Sequence, residues 1–88
     1  MHVVVYLSSG FYAAIAATII ETLQAVNSVS GTKTFSFEFV AKQSRAVSRS
    51  GIRFKANTEA SKKIDVLILL AGAEGMPPAD FRRQMVSR

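Results

Sequence analysis

The chain has 88 residues, 49% of them hydrophobic and 19% charged, which makes one small domain at most and is too apolar for a disordered tail. Eleven Lys and Arg against six Asp and Glu leave a net charge of +5. Cysteine is absent, which excludes a disulfide framework, a thiolate metal site and a Cys nucleophile within these residues. The single histidine, His2, has no second imidazole with which to build a metal cluster or a Ser–His relay. A chain of this size buries only about 60–65% of its extended surface, so its core is modest. This composition argues against a self-contained enzyme.

Residues 1–7 form a continuous apolar run rich in β-branched and aromatic side chains. Continuous rather than alternating hydrophobicity predicts a strand covered on both faces, as in a parallel sheet. The run carries no Lys or Arg and is broken by Ser8, Ser9 and Gly10, and the next apolar stretch, 11–20, contains Thr18 and meets Glu21. An export signal needs a positive n-region and a membrane helix about 20 unbroken apolar residues, so a soluble cytoplasmic protein with no membrane partner is expected.

Ser8, Ser9 and Gly10 predict a turn whose serines cap a helix. From Phe11 the period becomes helical, with Ile15, Ile19, Leu23 and Val26 on one stripe and small alanines elsewhere; Ser28, Ser30 and Gly31 supply the stop. Glu21 is the only charge between Phe11 and Gly31, so this helix is expected to be buried on more than one side. Residues 34–41 alternate Phe35, Phe37 and Phe39 against Ser36 and Glu38, a strand with one wetter face. Val47 and Ile52/Phe54, flanking Ser50 and Gly51, predict a small β-ribbon with Arg45, Arg49, Arg53 and Lys55 toward solvent. Residues 58–63 fit a short surface helix, and 64–71 form the second long apolar run, again of parallel-strand type. It leads into a tight turn at Gly72, Ala73, Glu74 and Gly75. Beyond Met76, Pro77 and Pro78, Phe81, Met85 and Val86 share one helical face.

This order predicts an α/β fold: a partial flavodoxin-like layered sheet, mostly parallel strands with flanking helices and a small β-ribbon. Two central-type strands need cover on both faces, while one long helix is on hand. Residues 1–88 are therefore expected to be the first part of a larger domain.

No catalytic constellation emerges. Ser8 and Ser9 have no evident base, no G-x-S-x-G elbow occurs, and Glu21, Glu38, Asp65 and Glu74 form no evident acid–base pair. Glu21 marks a pocket if it is buried and is merely solvated if it reaches the rim. The turn from Gly72 to Gly75 follows a buried strand, where α/β proteins place ligands, and its backbone N–H groups suit an anion; the same turn needs glycines for its backbone alone. It is neither a phosphate loop nor a dinucleotide fingerprint. The cations Lys42, Arg45, Arg49, Arg53 and Lys55 have few interleaved aromatics and no helix-turn-helix around them, which favours a solvated ribbon over a nucleic-acid surface.

A family pattern nevertheless emerges from the order of these pieces. Val3 to Leu7, Gly10-Phe11, Ile20-Glu21 and Ala25-Val26-Asn27 resemble the opening strand and first helix of the ThiJ/PfpI, or class I glutamine amidotransferase-like, domain at the N-terminus of AraC-type transcriptional regulators. Phe37 to Val40, Val47 through Ser50-Gly51-Ile52, and Asp65 to Gly72 continue the likeness as far as about Arg83. Ser9 stands where the family usually has Pro, Ala73 where a second Gly is expected, and Ile15 roughly where enzymatic relatives carry an acidic residue. The nucleophile elbow of those relatives falls beyond Arg88. The resemblance implies a non-catalytic sensing and dimerisation part of an AraC-type regulator, with no cofactor and no metal. Its partners would be a small-molecule effector, a second copy of the chain, and DNA through a C-terminal domain outside these residues. Gly10, Phe11, Gly72, Ala73 and Glu74 are the expected ligand-binding residues. The alternative is a fragment of a hydrolase or amidotransferase-like enzyme of the same superfamily, whose nucleophile lies further along.

Overall fold

The computed structural model describes residues 1–72; the expected apolar face of Phe81, Met85 and Val86 lies outside them. Strand β1 (His2–Leu7) is buried along its whole length because it is paired on both edges. On one side it runs parallel to β2 (Ser36–Ala41), with Val3 opposite Phe37 and Val5 opposite Phe39. On the other it runs parallel to the second apolar run, residues Val66–Leu70, which places the two oily strands side by side as their composition predicts. Between β2 and that strand in the chain lies a ribbon of β3 (Arg45–Val47) and β4 (Arg53–Lys55), which makes Val66–Leu70 strand β5. Sheet order is β2-β1-β5, an α/β fold with a parallel sheet. Among the described residues β5 is an edge, and its Leu67 to Leu70 are only half-buried.

Alternation along β1 divides the core. Val3, Val5 and Leu7 point toward helix α1 (Ala13–Ser30), where Phe11, Ala16, Ile19, Ile20 and Leu23 meet them. Val4 and Tyr6 point to the opposite face and pack with Val40, Ala60, Ile64, Leu67 and Leu69. The second face is therefore covered by an irregular segment rather than by the expected short helix. Residues 58–63 are irregular, with bends at 58–59 and 61–62: Ala60 is inserted as a core residue, and the Ser61 N–H donates to the Glu38 carboxylate. A side-chain acceptor thus takes an amide that a helix would use internally.

Helix α1 departs from expectation in three ways. It starts at Ala13, and its N-cap is Tyr12, with no side-chain cap; Ser8 and Ser9 do not serve. Its packed face is Ala13, Ala16, Ile19, Ile20, Leu23 and Asn27, whereas Ile15 and Val26 are exposed. Among the described residues it is covered on one side only, with Glu21 exposed. Its end is the one predicted: Gly31 takes a left-handed φ of +71° at the C-cap. Asn27 then ties the helix to β2, its side-chain N–H donating to the Phe35 carbonyl (2.9 Å) and its carbonyl oxygen accepting from the Phe35 N–H (2.8 Å).

The ribbon forms as predicted, around a three-residue loop of Arg49, Ser50 and Gly51, with Gly51 at φ +88°. Ala46 and Phe54, rather than Val47 and Ile52, face inward, and Arg45, Arg49, Arg53 and Lys55 are exposed. Phe54 stands edge-on to both Phe11 (5.0 Å) and Phe39 (5.6 Å), which carries the core from the sheet into the ribbon. No helix among the described residues is long and apolar enough to cross a membrane.

Candidate functional site

In the chain order β1 connects to β2 on one side, yet β5 lies on its other side. The strand order therefore reverses at β1, and ligands of open α/β sheets sit outside the carboxyl ends at such a point. Here the chain leaves β1 through a turn in which the Phe11 N–H donates to the Ser8 carbonyl (3.0 Å). Gly10 occupies its third position at φ +87°, a type II geometry that needs a glycine there. The ribbon is fastened to this turn by two backbone bonds: Gly10 N–H to the Val47 carbonyl (2.9 Å) and Arg49 N–H to the Phe11 carbonyl (2.8 Å). The end of β5 closes the other side, with the Ser8 N–H donating to the Leu70 carbonyl (3.2 Å).

These three pieces enclose an open crevice of about 660 Å³ lined by Ser9, Gly10, Tyr12, Ser48, Arg49 and Gly72. The Arg49 guanidinium lies 5.6 Å over the Tyr12 ring, and the same two residues line a second hollow of about 380 Å³ at the start of α1. On the β2 side of β1 a smaller cavity of about 110 Å³ is bordered by Ser9, Lys42, Gln43 and Arg45. Ser48 is buried and fully used: its hydroxyl oxygen accepts from the Ile52 N–H (3.1 Å) and it bonds the Ser50 hydroxyl (3.1 Å).

Of the expected binding residues, Gly10 and Gly72 line this crevice. The Phe11 ring is fully buried against Phe54 and does not line the crevice. Ala73 and Glu74 lie outside the described residues. The sequence does not single out Tyr12, and it presents Arg49 only as one cation of a solvated ribbon. What brings them together is the docking of the ribbon on the β1–α1 turn, for which no local pattern codes.

A second polar cluster lies at the opposite, amino-terminal end of the sheet. His2 is 6% exposed; one ring nitrogen meets the Ser36 hydroxyl (2.7 Å) and the other the Glu38 carboxylate (2.6 Å). Ser36 and Glu38 share one face of β2 at a spacing of two, and the parallel register sets His2 beside them. Glu38 also accepts from the Asn57 amide (2.9 Å) and the Ser61 hydroxyl (2.6 Å). The His2 N–H donates to the Asp65 carboxylate (2.6 Å). Burial pushes the Glu38 carboxyl up, but the bonds from the Ser61 hydroxyl, the Asn57 amide, the His2 ring and the Ser61 N–H outweigh it and hold its pKa below the ordinary value. An ionised carboxylate only accepts, so the His2 nitrogen facing it carries a proton.

The row Ser36–His2–Glu38 has the residue types of a nucleophile relay, which the lone histidine did not suggest. Its geometry is that of a clamp: the imidazole is buried with both nitrogens engaged, and Glu38 is saturated by donors from the 57–61 segment. It fastens β1, β2 and the irregular segment together. Among the described residues no three His, Cys, Asp or Glu side chains are placed to share a metal.

Among solved structures, the fold is similar to the crystal structure of an AraC family transcriptional regulator from Pseudomonas putida, with a TM-score of 0.78 and 18% identity over 98% of this chain. The chain spans 48% of the length of that structure. At this identity the likeness shows the fold, and function has to be argued from the site. No family model matches the chain, and no curated protein matches it.

Proposed function

We propose that this chain is the effector-sensing and dimerising part of an AraC-type transcription regulator, built on a ThiJ/PfpI-like domain and itself non-catalytic. The observation that carries the reading is the crevice at the reversal point of the sheet, walled by backbone turns, in a fold shared with a regulator of that family. A small-molecule effector enters between Gly10 and Gly72, with Phe11, Ala73 and Glu74 as the further residues proposed to serve it. The half-buried β5 suits a sheet that continues past it in a larger domain. Ligand binding then favours one dimer geometry over another, and with it the spacing of the DNA contacts made by a C-terminal domain outside this chain. Such a protein works where the DNA is, in the cytoplasm.

A metabolite screen by thermal denaturation tests the site. An effector at 100 times its Kd stabilises by about 2.7 kcal/mol, or roughly 10–20 °C in Tm for a domain of this size. The rise is expected in the wild-type chain and lost in Tyr12→Ala. A DNA footprint of the polypeptide encoded by the complete reading frame tests the coupling. If no compound binding the crevice alters that footprint, the sensing role is wrong.

A further inference from the structure

The charges around the crevice identify the kind of molecule it takes. Arg49 projects beside it with its backbone pinned by the bond to Phe11 and its guanidinium laid over the Tyr12 ring, so the head group is held in place before any ligand arrives. Lys42 and Arg45 border the adjoining small cavity, which shares Ser9 with the crevice. Across the ribbon Arg45 stands directly opposite Lys55, and a like-charge cross-strand pair of that kind repels. Among the described residues no carboxylate forms an ion pair with any of these four cations; the hydrogen-bonded contact of His2 with Glu38 is at the far end of the sheet. Among the described residues, a concave site flanked by cations with no carboxylate partner concentrates a positive field where a ligand would lie.

We infer that the crevice takes a small metabolite bearing an oxyanion group, carboxylate or phosphate, with Arg49 as its anchoring cation; the inference rests on the sensing role proposed above. A guanidinium offers a planar fork of N–H donors that matches two oxygens of such a group, and a charge-assisted pair is shorter and stronger than a neutral one. The Tyr12 ring beneath the fork limits its freedom, so less is lost when the ligand is gripped. Lys42 and Arg45, on the far side of Ser9, attract the anion toward the crevice without gripping it. The apolar body of the metabolite then has the remaining width between Tyr12 and Gly72.

The test is a titration of the isotope-labelled 88-residue chain, followed through its backbone amide resonances at constant ionic strength. Three probes are compared: succinate, inorganic phosphate and uncharged succinamide. Succinate or phosphate is expected to shift the amides of Gly10, Tyr12, Arg49 and Gly72 with a saturating curve, and succinamide to leave them in place. Arg49→Gln should weaken that binding about tenfold or more, Arg49→Lys by less, because charge survives while the fork is lost. Equal shifts with succinamide would leave the crevice as a binding site but refute recognition of an oxyanion. Shifts spread without saturation over Lys33, Arg53 and Lys62 as much as Arg49 would mean general screening of a basic surface, and would overturn the inference. Silence with all three probes would also overturn it, while the metabolite screen decides the sensing role separately.

Discussion

Gly72→Ala probes the contact that shapes the crevice. A Cβ at this position would lie 2.2 Å from the Ser9 carbonyl oxygen, 2.8 Å from the Phe11 nitrogen and 2.8 Å from the Ser8 carbonyl oxygen. All three are backbone atoms, so no side chain can turn aside. The turn that holds them is itself fixed by the Ser8 bond to Leu70 and the Gly10 bond to Val47. A carbon and a carbonyl oxygen rest at about 3.3 Å or more, so the β5 end and the turn must part by roughly 1 Å. Overpacking that forces backbone shifts costs about 1–3 kcal/mol and occasionally more, and this site belongs at the upper end. For a domain of this length that lowers Tm by roughly 10–20 °C, read by far-UV circular dichroism.

The contrast with Gly31 separates steric from conformational cost. Nothing lies within 4 Å of a Cβ built there, but φ is +71°. A left-handed residue other than glycine costs roughly 1–2 kcal/mol, less for asparagine. Asparagine should thus be milder than alanine at Gly31 and at least as harmful as alanine at Gly72. If Gly72→Ala melts within about 2 °C of the wild type, the close approach of β5 to the turn is not real.

Asn27→Asp keeps the acceptor for the Phe35 N–H but faces the Phe35 carbonyl with an oxygen; a loss of about 1–3 kcal/mol in urea unfolding is expected, and a neutral effect would mean that the helix is not tied to β2 there. Phe11→Ala removes a fully buried ring from between the sheet and the ribbon, for a loss of about 3–5 kcal/mol by the same measurement; a loss below about 1 kcal/mol would place the ring outside the core. Glu38 has a depressed pKa when folded, so in the window below the ordinary glutamate value of about 4.3 the unfolded chain binds more protons. Its contribution is complete above that window and is lost as pH falls through the folded value. Glu38→Gln should lower stability at neutral pH by about 1–3 kcal/mol and flatten the decline in acid; an unchanged acid slope would exclude Glu38 as its source.

How much of this was legible in the sequence depends on whether the cause was local. The unbroken apolar runs of β1 and β5 announced two strands of a parallel sheet, of which β1 is central and β5 an edge among the described residues, and Gly31 and Gly51 announced the helix stop and the ribbon loop through the backbone angles they alone adopt easily. The packed face of α1 is ambiguous in the sequence because alanines surround the isoleucines: several faces are apolar enough, and close approach to the sheet selects the one carrying Ala16. Residues 58–63 have good helical composition, but the Ser61 amide and hydroxyl are claimed by Glu38, far earlier in the chain. The Ser36–His2–Glu38 row depends on strand register, which no short window of sequence contains. Gly10 and Gly72 could be found from turn chemistry, whereas Tyr12 and Arg49 meet only after the ribbon has docked.

The two ends of the sheet are built from opposite materials, and that division bears on function. At the amino-terminal end, a buried histidine and half-buried polar side chains are mutually bonded and tied into three chain segments, an arrangement that resists opening. At the carboxyl end the walls are turns joined by one or two backbone bonds each, and the side chains beside the crevice include cations with no ion-pair partner among the described residues. Function concentrates on loops that a rigid scaffold positions, and ligand-responsive parts are drawn from the less stable regions of a fold. The clamp at His2 and Glu38 therefore does its work at a distance from any ligand: it fixes β1, so that the turn at Gly10 presents the same crevice to whatever enters.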